Sequence, residues 1–164
     1  MDLPWRSSVE QRSQADHLAT RIAELAGLGE LAVAGGNWNS YGRADPVVPA
    51  ALDCAPLYLR PPRMRYSSQD RTLTPNYDVH DVLACVGMQD AVDILPSALS
   101  DPGNLTSAGT SVNGRVDRIY LTRDLAGAAA RYVRQDMRDS EHQSLMLTLD
   151  GAMAARATPP EPGQ

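Results

Sequence analysis

Two asparagines flank a tryptophan directly after a pair of glycines, in the segment Gly35-Gly36-Asn37-Trp38-Asn39. An asparagine side chain can orient a water molecule by hydrogen bonding, although it cannot accept a proton at neutral pH. Asparagine and glycine also favour turns, because both tolerate positive φ. An apolar run at residues 31–34 comes immediately before the segment. Two interpretations therefore stay open, a plain turn and a strand end that delivers amide groups into a site.

A charged residue lies inside a second candidate strand, where Asp117 falls within the apolar alternation of residues 115–122. A charge in a buried strand is costly unless it is paired or bound to a metal ion. Pairing with Arg115 or Arg118 would account for Asp117 without any function. The alternative is that Asp117 belongs to the same site as the two asparagines.

A third polar group, Ser140-Glu141-His142, comes just before the strictly alternating residues 144–149. A single histidine in such a position is usually an ordinary surface residue. Here it is the third case in which polar side chains accompany a predicted strand. Because polar side chains accompany three predicted strands, we expect these side chains to form one common site.

The elements that must position these residues follow from the spacing of apolar side chains. Helical spacing predicts helices at residues 8–26 and 79–86, and alternation or short apolar runs predict strands at residues 31–34, 90–95, 115–122, 129–137 and 144–149. Residues 43–77 and 96–114 are polar and are expected to be long loops. We expect one domain over residues 1–150, followed by a disordered tail at residues 151–164.

The composition limits the classes of function. The net charge of −5 disfavours tight, non-specific binding of long duplex DNA, which needs a basic surface. No apolar run is long enough to cross a bilayer and no signal peptide is apparent, so no membrane association and a cytoplasmic location are expected. Cys54 and Cys85 lack metal-ligand spacing and are expected to be small buried hydrophobes, with a bridge between them left open.

Five short motifs in one order resemble the C-terminal half of the endonuclease/exonuclease/phosphatase superfamily, the DNase I-like metal-dependent phosphodiesterases. The residues that carry the resemblance are Arg12, Gln14 and Leu18 on the first helix, Gly36-Asn37-Trp38-Asn39, Gly87-Met88-Gln89-Asp90-Ala91, Arg115-Val116-Asp117-Arg118-Ile119-Tyr120, and Ser140-Glu141-His142. The similarity extends from about residue 8 to residue 149. It implies a mixed α/β fold of the α+β sandwich type, mainly one mixed or antiparallel sheet with flanking helices.

The resemblance also implies roles for the polar residues. Asn39 matches the asparagine that contacts the scissile phosphate, and Asn37 lies where the family has an aspartate that orients or deprotonates water. Asp117 matches an aspartate that supports the catalytic groups. His142 matches the histidine that stabilises charge on the phosphate, and Glu141 lies where an aspartate assists the metal site. Mg²⁺ or Mn²⁺ is the implied cofactor.

Two departures affect the implied chemistry. Asn37 is an amide in place of a carboxylate, and Glu141 is one methylene longer than aspartate. The family's N-terminal half, which carries the principal metal-binding glutamate, has no counterpart before Ser8. We therefore expect a weakened or incomplete domain, which would be a fragment of a longer protein, the product of a gene with a misassigned start, or a degenerate remnant. One sheet face would be uncovered, and the chain is expected to associate through it or with a missing N-terminal half.

Three hypotheses about function follow. The first is a metal-dependent phosphodiester or phosphoester hydrolase domain, with nucleic acid, a phosphoinositide or another phosphoester as substrate. The second is a non-catalytic pseudoenzyme that binds a partner or a phosphorylated ligand. The third is a structural α/β domain in which the motif matches are accidental.

Overall fold

The structure, a computed structural model, describes residues 7–45, 63–95, 115–135 and 144–157. In chain order these ranges form α1 (Ser8–Gly27), β1 (Val33–Asn37), β2 (Met64–Ser67), β3 (Thr72–Pro75), α2 (Asp78–Cys85), β4 (Met88–Asp90), α3 (Ala91–Ile94), β5 (Asp117–Thr122), α4 (Arg123–Ala126), β6 (Ala129–Gln135), β7 (Ser144–Leu149) and α5 (Gly151–Ala157). Every strand pairing among them is antiparallel. The expected combination of helices with antiparallel sheet is confirmed, but the expected single main sheet is not found, because the described strands form three separate sheets.

A three-stranded sheet in the order β1-β5-β4 is the centre of the described fold. The hairpins β2–β3 and β6–β7 form two further sheets of two strands each. Because β1 and β4 both run antiparallel to β5, their C-terminal ends point towards the N-terminal end of β5. Asn37 at the end of β1 pairs with Asp117, the first residue of β5, whereas Asp90 at the end of β4 pairs with Tyr120 on the other side of β5.

The central strand β5 is buried on both faces. Tyr120 packs on one face in a core with residues of α1 and α2, including Ala15, Ile22 and Leu83. On the other face Leu121 is fully buried, and half-buried Ile119 packs, as leucines of β7 do, against the buried clusters that contain Tyr132 and Leu121. The expected uncovered sheet face is therefore not found along β5.

Helix α1 begins as the sequence predicts. The Ser7 hydroxyl accepts hydrogen bonds from the backbone N–H groups of Val9 and Glu10, which caps the first turn. After the helix, Gly29 adopts a φ of 78°, a left-handed conformation that glycine reaches without steric cost. These local signals fixed both ends of the helix.

Two strand predictions need correction. The strand expected at residues 31–34 is β1, Val33–Asn37, because pairing with β5 continues the strand through both glycines and includes Asn37. The strand expected at residues 90–95 is wrong: β4 ends at Asp90 and Ala91–Ile94 form helix α3. The Asp90 carboxylate accepts a hydrogen bond from the backbone N–H of Val92 and caps that helix.

Three further differences concern segments expected to lack structure or to be buried. Residues 43–77 contain the β2–β3 hairpin, whose turn places Arg71 at a φ of 56°. Gly151–Ala157 form α5, so the beginning of the predicted tail is helical. Cys85 is exposed and free, which makes its predicted burial wrong, whereas Cys54 lies outside the described residues.

Candidate functional site

Three of the predicted site residues lie together at the edge of the sheet where β1 ends. Asn37 is directly opposite Asp117 in the β1–β5 register, and Asn39 follows two residues later. Side chains directly opposite each other in an antiparallel pair lie on the same face, with Cβ atoms about 4.5–5.5 Å apart. Asn37 and Asp117 are both half-buried. An amide and a carboxylate thus share one accessible edge.

The asparagines also build the turn that follows β1. The backbone N–H of Asn39 donates to Oδ1 of Asn37 at 3.0 Å, and Asn39 adopts a φ of 50°. Such side-chain-to-backbone bonds and left-handed conformations are the usual reasons for asparagine in turns. The two interpretations of this segment are therefore compatible for Asn37, whose half-buried side chain lies at the sheet edge and also forms the turn, whereas Asn39 is buried.

Trp38 anchors the turn between the two asparagines. Its side chain is fully buried, and its indole N–H donates to the carbonyl oxygen of Arg118 at 3.2 Å. Its backbone N–H donates to the carbonyl oxygen of Val116 at 2.8 Å, and its ring packs edge-on against Tyr120. The tryptophan thereby ties the asparagine turn to β5, which carries Asp117.

The remaining predicted site residues are outside the part of the chain that the structure describes. Glu141, predicted to assist the metal site, and His142, predicted to stabilise charge on phosphate, both fall within residues 136–143. Their placement relative to Asn37, Asn39 and Asp117 stays a prediction.

Two arginines, Arg115 and Arg118, and two aspartates, Asp45 and Asp90, form a buried hydrogen-bonded network that holds the segment after Asn39. The Arg118 guanidinium is fully buried and donates to the carboxylates of Asp45 and Asp90 and to the carbonyl oxygens of Ser40 and Arg115. The Arg115 guanidinium donates to both carboxylate oxygens of Asp90, at 2.9 and 2.7 Å. The segment after Asn39 is thereby fixed to both β4 and β5.

The charges in this network are mutually stabilised. Burial alone would raise the pKa of Asp90, but Arg115 and Arg118 outweigh that effect and lower the pKa to about 2. Burial likewise works against the charged form of Arg118, whereas Asp45 and Asp90 raise its pKa. Both arginines and Asp90 are therefore ionised at neutral pH. Buried charges of this kind are tolerated only when paired and hydrogen-bonded.

Glycine at position 42 leaves the space that the Arg118 guanidinium occupies. A Cβ atom there would lie 2.5 Å from Nη1 of Arg118, whose head is held by the network and cannot move away freely. We expect Gly42→Ala to lower the free energy of unfolding by about 1–3 kcal/mol, the usual cost of overpacking. Urea denaturation monitored by circular dichroism would measure it.

The matched control is Gly127→Ala, because nothing lies within 4 Å of a Cβ at that position. Gly127 has helical φ and ψ of −63° and −19°, so alanine there should be neutral or stabilising by about 0.4–1 kcal/mol. Equal effects of the two substitutions would contradict the packing argument.

A second group of polar residues lies on the opposite side of β5, around the end of β4. His80 of α2, Asp90 and Asp93 of α3 each offer a ligand atom, and these atoms lie within 4.8 Å of one another. They border a cavity of about 270 Å³. The group could hold a metal ion, a possibility that the sequence had placed only at Glu141.

The Asp93 carboxyl is unusually easy to protonate. Burial is the main cause, and the neighbouring Asp90 carboxylate adds to it, so that the pKa of Asp93 rises to about 6. Between about pH 4 and pH 6 the folded state therefore binds more protons than the unfolded state, and the stability falls as the pH rises. Above that range the charged form of Asp93 destabilises the fold.

We expect Asp93→Asn to remove this penalty. In EDTA the variant should be more stable than the parent at pH 7 by up to about 3 kcal/mol, and the difference should disappear below about pH 4. Urea denaturation across this pH range is the measurement. Asp124→Asn, at an exposed position of α4, is the control and should change stability by less than about 0.5 kcal/mol. A gain that is independent of pH would contradict the assignment.

Sequence reasoning missed the buried network, although part of the signal was present. Arg118 lies two residues before Tyr120, so a strand places both on one buried face. Asp90 belongs to one of the motifs that carry the resemblance, yet it had no predicted role. Asp45 is separated from Arg118 by 73 residues, and no local pattern connects them. Only the tertiary structure identifies this partner.

In comparisons with known proteins, the chain matches no family model, no curated protein and no solved structure. Among the helices of the described residues, none combines the length and the apolar character needed to cross a membrane.

Proposed function

We propose that the chain is a phosphoester-hydrolysing domain of the DNase I-like type in which Asn37 weakens the chemistry. The observation that carries the proposal is the register of β1 and β5, which sets Asn37 directly opposite Asp117 with Asn39 in the adjoining turn. Residues from two separate motifs of the resemblance are thus neighbours. The motif at residues 115–120, which contains Asp117, is also joined to the motif at residues 87–91 by the buried ion pair between Arg115 and Asp90.

The chemistry proposed for this edge follows from its donor atoms. The Asn39 amide can donate to a phosphate oxygen, and Asn37 can orient a water molecule without accepting its proton. Glu141 is the residue predicted to assist the metal site, and the Asp117 carboxylate opposite Asn37 offers a further oxygen of the kind that Mg²⁺ or Mn²⁺ prefers. The metal ion would neutralise the charge of the phosphoester. These assignments rest on the resemblance and on the juxtaposition of Asn37 with Asp117.

A second candidate function is binding of a phosphorylated ligand without turnover. It is favoured by the Asn37 side chain, which lacks a carboxylate and whose Oδ1 already accepts a hydrogen bond from the Asn39 backbone. A residue engaged in a turn and unable to take a proton suits binding better than catalysis.

The test is hydrolysis of bis-p-nitrophenyl phosphate with Mg²⁺ or Mn²⁺. If the proposal holds, the parent chain turns over slowly, and Asp117→Asn and His142→Ala each lose most of that rate. His17→Ala, at an exposed position on α1, is the control and should keep it. Metal-dependent turnover that survives both substitutions would contradict the proposed site.

Absence of turnover, together with saturable binding of a phosphate monoester that Asn39→Ala weakens, would instead support the second candidate. Calorimetric titration with p-nitrophenyl phosphate distinguishes the two. Absence of both turnover and binding would contradict both functions.

A further inference from the structure

The cavity beside the end of β4 has the composition of a metal site that is separate from the phosphoester edge. Its lining includes His80 on α2, Asp90 and Asp93, with Gln89 and Arg123 at its border. β4 and β1 flank β5 on opposite sides, so this cavity and the Asn37 edge lie across the central strand from each other. A ligand in the cavity would contact three elements, α2, β4 and α3.

Asp93 supplies an oxygen that needs a partner. Its Oδ1 atom is buried, and within the described ranges no group lies at hydrogen-bonding distance from it. Buried polar atoms in native structures are almost always paired, with protein, water or an ion. The unpaired oxygen belongs to the same group of side chains that offers three ligand atoms within 4.8 Å of one another.

One ring nitrogen of His80 lies beside a buried hydroxyl group. Its Nδ1 lies 3.4 Å from the hydroxyl of Tyr120, which is fully buried. If Nδ1 carries the proton and donates it to this hydroxyl, Nε2 is left with a lone pair for a metal ion. A hydrogen bond from the second ring nitrogen to an oxygen is the common outer-shell arrangement around histidine ligands.

Asp90 has little capacity left to coordinate a metal ion. Its two oxygens already accept hydrogen bonds from Arg115, Arg118 and the backbone of Val92. It lies beside the other two side chains, and its charge is balanced by Arg115 and Arg118. The groups that can still coordinate a metal ion are therefore one imidazole nitrogen of His80 and the carboxylate of Asp93.

We propose that this cavity binds one divalent transition-metal ion, held by His80 and Asp93 beside the carboxylate of Asp90. An imidazole with a carboxylate suits Zn²⁺, whereas Mg²⁺ prefers oxygen ligands alone. Water completes the coordination, which the cavity volume of about 270 Å³ accommodates. The ion links α2 to the end of β4 and to α3. Because these ligands come together only in the folded chain, binding of the ion stabilises the folded state.

The experiment is a calorimetric titration of the full chain with Zn²⁺, combined with thermal unfolding in the presence and absence of the ion. Cys54→Ser and Cys85→Ser are introduced first, because Cys85 is an exposed thiol that could bind Zn²⁺ itself. We expect a binding step of one ion per chain that depends on His80 and Asp93, and a rise in the unfolding temperature. His80→Ala and Asp93→Asn should each weaken binding by at least about tenfold, since even loss of an outer-shell partner costs about 10–100-fold.

Matched controls separate this site from other causes. His17→Ala removes an exposed histidine and should leave the affinity unchanged, and so should Asp124→Asn at an exposed position of α4. Asp93→Asn is expected to be at least as stable as the parent without metal, so weaker binding by that variant cannot be attributed to unfolding. Two results would overturn the proposal. One is Zn²⁺ binding that is unchanged in both His80→Ala and Asp93→Asn, and the other is the absence of saturable Zn²⁺ binding by the parent chain.

Discussion

Asn37→Asp is expected to raise metal-dependent phosphodiester hydrolysis by on the order of 10²–10⁴-fold, the usual contribution of a general base. The substitution replaces an amide by a carboxylate of the same shape. Aspartate can still accept the hydrogen bond from the Asn39 backbone N–H, so the turn is expected to persist. The new carboxylate would face Asp117 across the β1–β5 pair.

The facing carboxylates lead to a second expectation for the same variant. Like charges directly opposite on two strands destabilise a sheet, and a divalent cation between them relieves the repulsion. Asn37→Asp should therefore unfold at a lower temperature than the parent in EDTA, and Mg²⁺ or Mn²⁺ should restore most of the difference. Thermal unfolding and the hydrolysis of bis-p-nitrophenyl phosphate are measured on the same samples.

Gln14→Glu is the matched control, because it makes the same change from amide to carboxylate at an exposed position of α1. It should alter neither the rate nor the response to metal. A folded Asn37→Asp variant that hydrolyses no faster than the parent would exclude Asn37 from the position of a catalytic base. The proposed hydrolase would then lose its main support, and the ligand-binding function would be favoured.

Arg118→Met is expected to be the most destabilising of the substitutions considered, lowering the free energy of unfolding by about 3–5 kcal/mol. Methionine fills much of the space but leaves the buried carboxylates of Asp45 and Asp90 with fewer donors. It also leaves the Ser40 carbonyl without its two bonds from the guanidinium. Denaturation in urea at neutral pH measures the loss.

Arg21→Met is the control for Arg118→Met. Arg21 forms an exposed ion pair with Glu24 at 2.8 Å, and such pairs contribute about 0.2–1 kcal/mol. A double-mutant cycle with Asp45→Asn would isolate the coupling between Arg118 and Asp45. If Arg118→Met cost no more than Arg21→Met, the network would not hold the segment after Asn39 in place.

Local patterns predicted those elements whose signals lie within a few residues. Apolar spacing and the Ser7 cap defined α1, and strict alternation defined β7 at Ser144–Leu149. The prediction failed at Asp90, where one capping side chain turned an apolar run into a helix. It also failed at β1, because its partner strand extended it through two glycines. Side-chain capping and pairing partners overrode the intrinsic preferences of these residues.

The sequence by itself determined that Asn37, Asn39 and Asp117 accompany strands, and that apolar periodicity builds a mixed α and β domain. Only the tertiary structure decided that Asn37 faces Asp117 and that the charged side chain of Arg118 is fully buried. It also decided that Asp45 meets Arg118 across 73 residues of chain. The reason is physical: periodicity and capping depend on near neighbours, whereas ion pairing and cavity formation depend on which distant segments pack together.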